Sequence, residues 1–472
     1  MTRLEIRLVA LLVVLAAGSC SPAADSADAG ADAAADAGVV EIPPILVSAW
    51  VHIDPLPPAP MTQAGYGRHR DGMLWYLDLA QRTGARISAQ MTGNYAEAAV
   101  LQGHETDFAD FMPGKSHHLG SHTHAWVHGG SAYSWTELPE AERSDPASVL
   151  RVFNDNIGFV NRIFAGNGCT AADNWFFHGS HATYPGMDGP ILLNDQTVAT
   201  TYTNVYRTCG ADRSMPAAFR GGCFDGSGQG AADPHGRFVK ISEVGGLIGL
   251  DQIHGPEGMV YGTVPYERRD FIRVVLEWRE AARRNPQAPP LHFNYMVHPT
   301  DIESTARLGT DGRPIRTSIE ELITWLNQEY VGRRDPAGRL IATWGTVPDI
   351  EQRFLAWEAS WPEERARLAD AVNQRTYGRL LPGLWTALDG AYHDRALSLA
   401  GVVAHRFVAR ATGTVWVLLY SESGTVSVPA GGDLPSDRDL MAGDGSVTEA
   451  SGPTVSVGEP PVLVAPRGGF SS

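Results

Sequence analysis

Five of the sixteen histidines of the chain lie in one tract of twelve residues, HHLGSHTHAWVH, at positions 117–128. If this tract is a strand, His122 and His124 point to the same face, because successive side chains alternate. Two imidazoles at this spacing can bind one metal ion, and His128 follows within reach. The tract therefore predicts a metal site with these three histidines as ligands. The alternative is a polar loop with hydrated or hydrogen-bonded imidazoles.

A carboxylate ligand and a further histidine are predicted at the ends of two apolar runs. Asp54 ends the run ILVSAWVHID, and His298 ends the run LHFNYMVH. In a parallel barrel the carboxyl ends of the strands meet at one mouth, where such folds place their chemistry. Zinc binds imidazole and carboxylate groups and keeps one position open for water in catalytic sites. The sequence therefore predicts a site for Zn²⁺, or another divalent transition metal, that includes Asp54.

The elements that must position these residues alternate between strands and helices. Strand-like runs are predicted at 45–54, 85–92, 116–126, 174–178, 291–298 and 340–343. Helical spacing is found at 70–83, 95–102, 149–164, 271–284 and 318–330. This alternation predicts parallel βα units in sufficient number to close a barrel. Residues 184–262 are Gly-rich and irregular and are predicted to be inserted loops. After about residue 375, short alternating runs separated by turn residues predict a small β-sandwich.

The first 40 residues are predicted to be a targeting segment and a tether. Arg3 and Arg7 precede an apolar run that is too short to span a bilayer, as in a secretory signal. The run ends in AGSC, which resembles a bacterial lipobox and implies lipidation of Cys20, although an ordinary signal peptide is the alternative. Residues 21–38 have no aromatic or large aliphatic side chain and cannot fold alone. We therefore expect an exported protein, lipid-anchored in the outer membrane or at the surface of a bacterium.

Composition excludes some classes of protein and leaves others open. The net charge of −16 argues against nucleic-acid binding, and 43% apolar residues exclude a wholly disordered chain. No phosphate-binding loop, dinucleotide fingerprint or nucleophile elbow is present in the sequence. An exported chain allows a disulfide among Cys169, Cys209 and Cys223. Of the three pairings, we predict Cys209–Cys223, because it closes a short Gly-rich loop.

The order of these elements resembles the NodB-type polysaccharide deacetylases, a family of distorted (β/α) barrels. That family has a strand ending in an acidic metal ligand, a helix, a strand ending in Gly, a helix, and a Gly-x-His-x-x-x-His motif. Here the same order is found at 45–54, 74–80, 85–93 and in HLGSHT at 118–123. The sequence MVHP at 296–299 looks like the motif that ends in the catalytic His. The resemblance covers about residues 45–357.

Three departures from the family pattern are visible. Ile53 stands where the family carries a catalytic Asp beside the metal-binding one, so that His52 is a candidate substitute for the base. Trp126 replaces the last His of the second motif, whose role His124 or His128 could take. The sequence WFFHGSHATYP at 175–185 stands where the family has an arginine motif, and His178 and His181 replace the Arg.

The resemblance implies a metal-dependent removal of N- or O-acetyl groups from a polysaccharide at the cell surface. Asp54, His122, His124 and His128 would hold the ion, while Asp54, His52 and His298 would be catalytic. An imidazole suits the role of acid because it titrates near neutral pH. Trp126, His178 and His181 would contact the glycan. The implied domains are a signal peptide at 1–19, a tether at 20–40, a barrel at 41–375 and a β-sandwich module at 376–472.

Two other functions stay open at this point. Ile53 and the missing arginine favour a non-catalytic, glycan-binding lipoprotein on a degenerate barrel. A glycoside hydrolase would need two carboxylates in one cleft, and the sequence does not identify such a pair. Asp301 and Glu303, which follow His298, are expected to be solvated. The expected partners are an acetylated glycan and, through Cys20, a lipid membrane, with no nucleic acid.

Overall fold

The structure is a computed structural model. The residues that it describes are 42–53, 63–124, 126–142, 145–174, 176–181, 206–209, 215–220, 232–236, 239–242, 244, 251–252, 260–261, 263–285, 287–309, 311–374 and 380–470. The predictions for residues 1–40, which include Cys20, and those for Asp54 and Cys223 lie outside these residues. For His124, His178, His181 and Cys209, only the backbone is described.

Strands and helices alternate through the larger part of the chain. The strands are β1 Ile45–Ile53, β2 Ile87–Met91, β3 His118–His124, β4 Trp126–His128, β5 Trp135–Glu137, β6 Phe176–His181, β7 Tyr206–Cys209, β8 Phe219–Arg220, β9 Val239–Ser242, β10 Asp251–Gln252, β11 Val260–Tyr261, β12 His292–Val297 and β13 Ala342–Trp344. The helices are α1 Gln63–Thr83, α2 Gly93–Leu101, α3 Pro146–Gly166, α4 Val264–Arg284, α5 Pro299–Ile302, α6 Ile315–Glu329, α7 Val347–Ser360 and α8 Pro362–Asn373. Three short 3-10 turns lie at Glu105–Phe111, Glu140–Glu142 and Ala171–Asp173.

The main sheet has the strand order β12-β1-β2-β3-β6-β7-β9-β8, and β13 pairs with the first residues of β1. Neighbouring strands from β12 to β9 are parallel, and β8 is antiparallel to β9. The prediction of a mixed α/β fold with a parallel sheet is therefore confirmed. The prediction that residues 184–262 form only inserted loops is wrong, because β7 and β9 lie in this region and belong to the sheet. These strands are only four residues long, too short for a clear apolar pattern.

The two edges of the main sheet approach each other at a few points. Ala217, just before β8, forms an isolated antiparallel bridge with Leu291, and His292 N–H donates to Pro216 O at 2.7 Å. Val244 N–H, after β9, donates to Asn294 Oδ1 at 2.7 Å. Among the described residues, no continuous ladder joins β8 to β12. Closure into a barrel therefore stays a prediction.

One face of the main sheet is apolar and packs against helices. On β1 this face presents Val47, Ala49, Val51 and Ile53, all fully buried. On β12 the ring of Phe293 lies 5.2 Å from that of Phe271 in α4. These side chains alternate with those of the opposite face, as the pleat of a strand requires. The helices therefore cover one face of the sheet, and the second set of alternating side chains lies on the opposite face.

The C-terminal part of the chain is antiparallel. It contains α9 Pro382–Asp389, β14 Ala391–Leu399, β15 Val402–Ala409, β16 Val415–Tyr420, β17 Val426–Pro429, β18 Asp437–Met441, β19 Val447–Ser451, β20 Thr454–Val457 and β21 Val462–Pro466. Six strands form one sheet in the order β14-β15-β16-β21-β18-β19, and β17 pairs with β20. Val417 and Leu419 of the larger sheet share an apolar cluster with Val428 and Val455 of the smaller one. A C-terminal antiparallel sheet region is therefore present, whereas the domain boundary at residues 375–376 stays a prediction.

Paired charges join the C-terminal part to α4. Arg269 forms a two-pronged contact with Asp270 at 2.8 and 3.0 Å, and it donates to the backbone oxygens of Asp389 and Ala391. Arg273 donates to Asp270 at 2.9 Å. The side chains of Arg269, Asp270 and Arg273 are all buried. Because these groups satisfy one another and the backbone of the C-terminal part, they hold the two parts together. None of the described helices is both long enough and apolar enough to cross a bilayer.

Candidate functional site

The second face of the main sheet is polar and yet buried. On β1 and β2 the residues Ser48, His52, Ser88 and Gln90 alternate with the apolar residues described above, and each is at most 1% exposed. His52 lies directly opposite Gln90 in the sheet, whereas Ser88 lies opposite Trp50, which shares this face. Polar side chains are rarely this buried unless they bond to each other or to a ligand. A row of them across neighbouring strands marks this face as the place for chemistry.

Three imidazoles meet at the carboxyl ends of the strands. The rings of His52 and His122 are stacked, with centroids 4.7 Å apart, and the ring of His298 meets that of His52 edge-on at 5.7 Å. His52 lies near the end of β1, His122 lies near the end of β3, and His298 directly follows β12. The structure therefore brings together three predicted site residues, of which His52 and His298 are 246 positions apart in the chain.

His298 is held by a buried carboxylate. Its backbone N–H donates to Asp301 Oδ2 at 3.3 Å, and its Nδ1 lies 3.6 Å from the same oxygen. The expectation that Asp301 is solvated is wrong, because the short helix α5 turns this carboxylate inward and leaves it unexposed. Gly72 of α1 allows the approach, since a Cβ there would lie 3.1 Å from Pro299 O and Ile302 O. Asp301 is therefore the carboxylate placed closest to the ring of His298 among the described contacts.

His128 lies away from this cluster. Its Nε2 is 3.2 Å from Glu97 Oε1, and its ring packs against Trp135 and Phe159 at 5.2 and 4.8 Å. Glu97 also accepts from Trp135 Nε1 at 2.8 Å and from the backbone N–H of Tyr133, whose φ is +59°. This carboxylate therefore ties the β4–β5 hairpin to α2. In the structure His128 belongs to these contacts between the hairpin and α2 and not to the His52–His122 pair.

Two further histidines of the tract have structural surroundings. His117 Nδ1 accepts the backbone N–H of Ile87 at 3.1 Å, and burial lowers the pKa of His117 to about 4. His118 faces the polar side of the sheet, and burial lowers its pKa to about 3. Both rings are therefore neutral at pH 7. The five histidines of the tract therefore have three different surroundings. His117 and His118 are buried and neutral, His122 and His124 lie at the end of β3, and His128 bonds to Glu97 of α2.

For the remaining predicted site residues, the structure gives the strand positions of His178 and His181 and the surroundings of Trp126. The backbone of β6 places His178 beside His122 and His181 beside His124, so the two predicted histidine groups are on neighbouring strands. Trp126 is half-buried on β4, and its carbonyl accepts from Asn156 Nδ2 at 3.3 Å. Asp54 follows β1 directly, so its position in sequence is next to the end of the strand that carries His52. Gln90, between these strands, had no sequence signal because its neighbours in the chain are ordinary strand residues.

The described side chains fit part of a metal site. No group of three or more His, Cys, Asp or Glu that could hold a metal ion is found among them. His122 offers an imidazole nitrogen of the type that zinc binds, and the ring of His52 stacks on that of His122 with centroids 4.7 Å apart. Further ligands would come from Asp54 and His124, whose side chains lie outside the described part of the structure.

Cys169 is in a disulfide whose second cysteine lies outside the described side chains. Cys209 is described only in its backbone, and Cys223 is not described. A bond from Cys169 to either of them would exclude the predicted Cys209–Cys223 bridge, because each sulfur forms one such bond. The predicted pairing is otherwise untested.

No known protein-family model matches the chain, and no curated protein matches its sequence. Among solved structures, it is similar to one described as a probable polysaccharide deacetylase from Pseudomonas aeruginosa PAO1, with 12% identity and a TM-score of 0.37 over 67% of this chain and 92% of that one. Puue allantoinase gives 10% identity and a TM-score of 0.37 over 67% and 91%. The peptidoglycan deacetylase PdaC from Bacillus subtilis gives 11% and 0.28 over 69% and 97%. These values are too low to establish a shared family, so the function must be argued from the site.

Proposed function

We propose that the chain is a metal-dependent hydrolase that removes N- or O-acetyl groups from a polysaccharide at the cell surface. The observation that carries this proposal is the convergence of His52, His122 and His298 at the carboxyl ends of β1, β3 and β12. Side chains at this edge of a parallel sheet are typical of catalytic sites. Three imidazoles together supply both ligands for a transition metal and groups that exchange protons near neutral pH.

In this proposal His122, His124 and Asp54 hold the ion, which is Zn²⁺ or a similar divalent metal. When bound, zinc supplies Lewis acidity and makes water a stronger acid. His128 is left out of the ligand set because Glu97 and two aromatic rings already hold it. The closed barrel, the lipid anchor at Cys20 and the tether belong to the same proposal, which places the enzyme in the outer membrane or at the cell surface.

The chain's own residues would move the protons. His52 is the candidate base, because Ile53 is apolar and fully buried and cannot take that role. His298 is the candidate acid: Asp301 lies 3.6 Å from its Nδ1 and stabilises the imidazolium that would protonate the leaving group. Trp126, half-buried on the hairpin that follows β3 and packed against the core, would contact the sugar. His178 and His181 would line the same cleft.

A non-catalytic glycan-binding protein is the second candidate. Ile53 favours it, because this side chain is buried at the position where the resemblance calls for a charged base. Such a protein would still bind a glycan at Trp126 but would release no acetate.

The test combines metal content with acetate release. The purified full chain is loaded with Zn²⁺, desalted and measured for zinc by mass spectrometry and for acetate release from an acetylated chito-oligosaccharide. We expect about one zinc per chain, lost together with activity in His122→Ala. The control is His235→Ala, because His235 is exposed on a loop. Equal zinc content and activity in His122→Ala and the control would refute the metal site. Glycan binding without zinc or acetate release would support the second candidate.

A further inference from the structure

Gln90 lies in the middle of the polar face, between the strands that carry two of the site histidines. In the sheet it is directly opposite His52 of β1 on one side and Gly120 of β3 on the other. Residues directly opposite in a sheet point to the same face. The side chain of Gln90 therefore emerges on the same face as His52 and, two residues after Gly120, His122.

The imidazoles of His52 and His122 lie closer together than the two strands that carry them. Strands on the two sides of β2 are about 9–10 Å apart, whereas the ring centroids of His52 and His122 are 4.7 Å apart. Both side chains must therefore lean over β2 towards each other. This brings their ring edges above the strand from which the amide of Gln90 projects.

The amide of Gln90 is unusual in having no bonds. Oε1 and Nε2 are both buried without a hydrogen-bond partner, and the side chain has no exposed area. By contrast, the neighbouring Ser88 Oγ lies 3.4 Å from Ser48 Oγ and accepts from Val347 N–H at 2.9 Å. An unbonded buried amide destabilises a fold, and a methionine of similar length would fill the same space without that cost.

We propose that Gln90 is a positioning residue for the His52–His122 pair. When the site is occupied, its amide oxygen accepts one ring N–H of His122 and leaves the other ring nitrogen of His122 for the metal ion. Imidazoles that bind a metal usually donate their second N–H to such an acceptor, which fixes both the tautomer and the orientation of the ring. This inference rests on the proposed function, which names the metal.

The experiment measures ligand-free stability and zinc binding in the full chain. The variants are Gln90→Met and Gln90→Glu, and the probe is Zn²⁺ alone, titrated by calorimetry. We expect Gln90→Met to raise the ligand-free thermal midpoint by about 2–4 °C, because an unbonded amide is removed. The same variant should bind zinc about 10–100-fold more weakly. Gln90→Glu should bind zinc at least as tightly as the wild type, because its carboxylate accepts the same N–H.

Asn156 provides the matched control. It is also a buried amide, but Oδ1 accepts from Gly93 N–H at 2.8 Å and Nδ2 donates to Val152 O at 2.8 Å. Asn156→Leu should therefore lower the thermal midpoint, opposite in sign to Gln90→Met.

Two results would overturn the role of Gln90. A lower ligand-free midpoint in Gln90→Met would show that the amide stabilises the fold. Unchanged zinc affinity in Gln90→Met would remove its positioning role and leave the proposed function standing. A wild type that binds no zinc and releases no acetate would instead overturn the proposed function, and this inference with it.

Discussion

Lowering the pH should destabilise the protein through a buried histidine pair in its C-terminal part. His393 Nε2 lies 3.3 Å from His405 Nδ1, and both side chains are buried. The ring of His393 also packs against Phe407 and Trp325 of α6. Burial, together with the charges of His405 and Arg268, lowers the pKa of His393 from 6.5 to about 3. Burial alone lowers the pKa of His405 to about 4.

The direction of the effect follows from where the protons bind. Below pH 6.5 the unfolded chain takes up protons on these imidazoles, while the folded chain does not until the pH approaches the lowered values. The free energy of unfolding therefore falls as the pH falls from about 6.5 towards about 4. Each imidazole contributes about 1.4 kcal/mol per pH unit in this window, so the pair should lose about 4 kcal/mol in total between pH 7 and about pH 5.

The assay is urea unfolding of the wild type and of the double variant His393→Gln/His405→Gln at a series of pH values. The quantity compared is the change in unfolding free energy between neutral and acidic pH, so that other titrating groups cancel. We expect the double variant to lose about 4 kcal/mol less than the wild type on acidification. His235→Gln, on an exposed loop, should behave as the wild type. Parallel pH curves for the wild type and the double variant would refute the reasoning.

Two further substitutions test the charge pairs described above. Asp270→Ala leaves the buried guanidinium of Arg269 without a carboxylate and leaves Arg273 with only the more distant Asp389 at 3.3 Å. We expect a loss of about 3–5 kcal/mol in the urea-unfolding free energy. A loss below about 1 kcal/mol would contradict the role given to these contacts. Asp301→Asn removes the negative charge 3.6 Å from His298 Nδ1. We expect acetate release at neutral pH to fall at least about tenfold and to recover partly at lower pH, and a pH–rate profile identical to that of the wild type would count against the His298 assignment.

The order of the helices and strands could be predicted because it depends on local apolar spacing. The predicted helix at 149–164 is observed as Pro146–Gly166, and the predicted helix at 271–284 as Val264–Arg284. Both begin earlier than predicted, because apolar spacing marks only the buried turns. The first turn is set by capping instead: Asp145 caps the helix that starts at Pro146 by accepting from Ser148 N–H at 2.9 Å.

The site could be predicted only where a residue type and its place at a strand end coincide. His52, His122 and His298 follow this rule, and they meet in the structure. His128 and Asp301 do not follow this rule, because their contacts are made with residues of other helices and strands. Glu97 of α2 decides the contacts of His128, and the short helix after β12 decides the burial of Asp301. Such pairings need the tertiary fold, which the spacing of residues along one segment does not contain.

The same alternation of side chains builds the core and the site. On β1, Val51 and Ile53 lie on the apolar face while His52 between them lies on the polar face, and β2 repeats the pattern with Ala89, Gln90 and Met91. A shift of one residue in pairing would exchange the two faces, so the core fixes which side chains enter the site. The unbonded amide of Gln90 on that face costs stability. Substitutions of Gln90 should therefore change the stability and the zinc affinity in opposite directions.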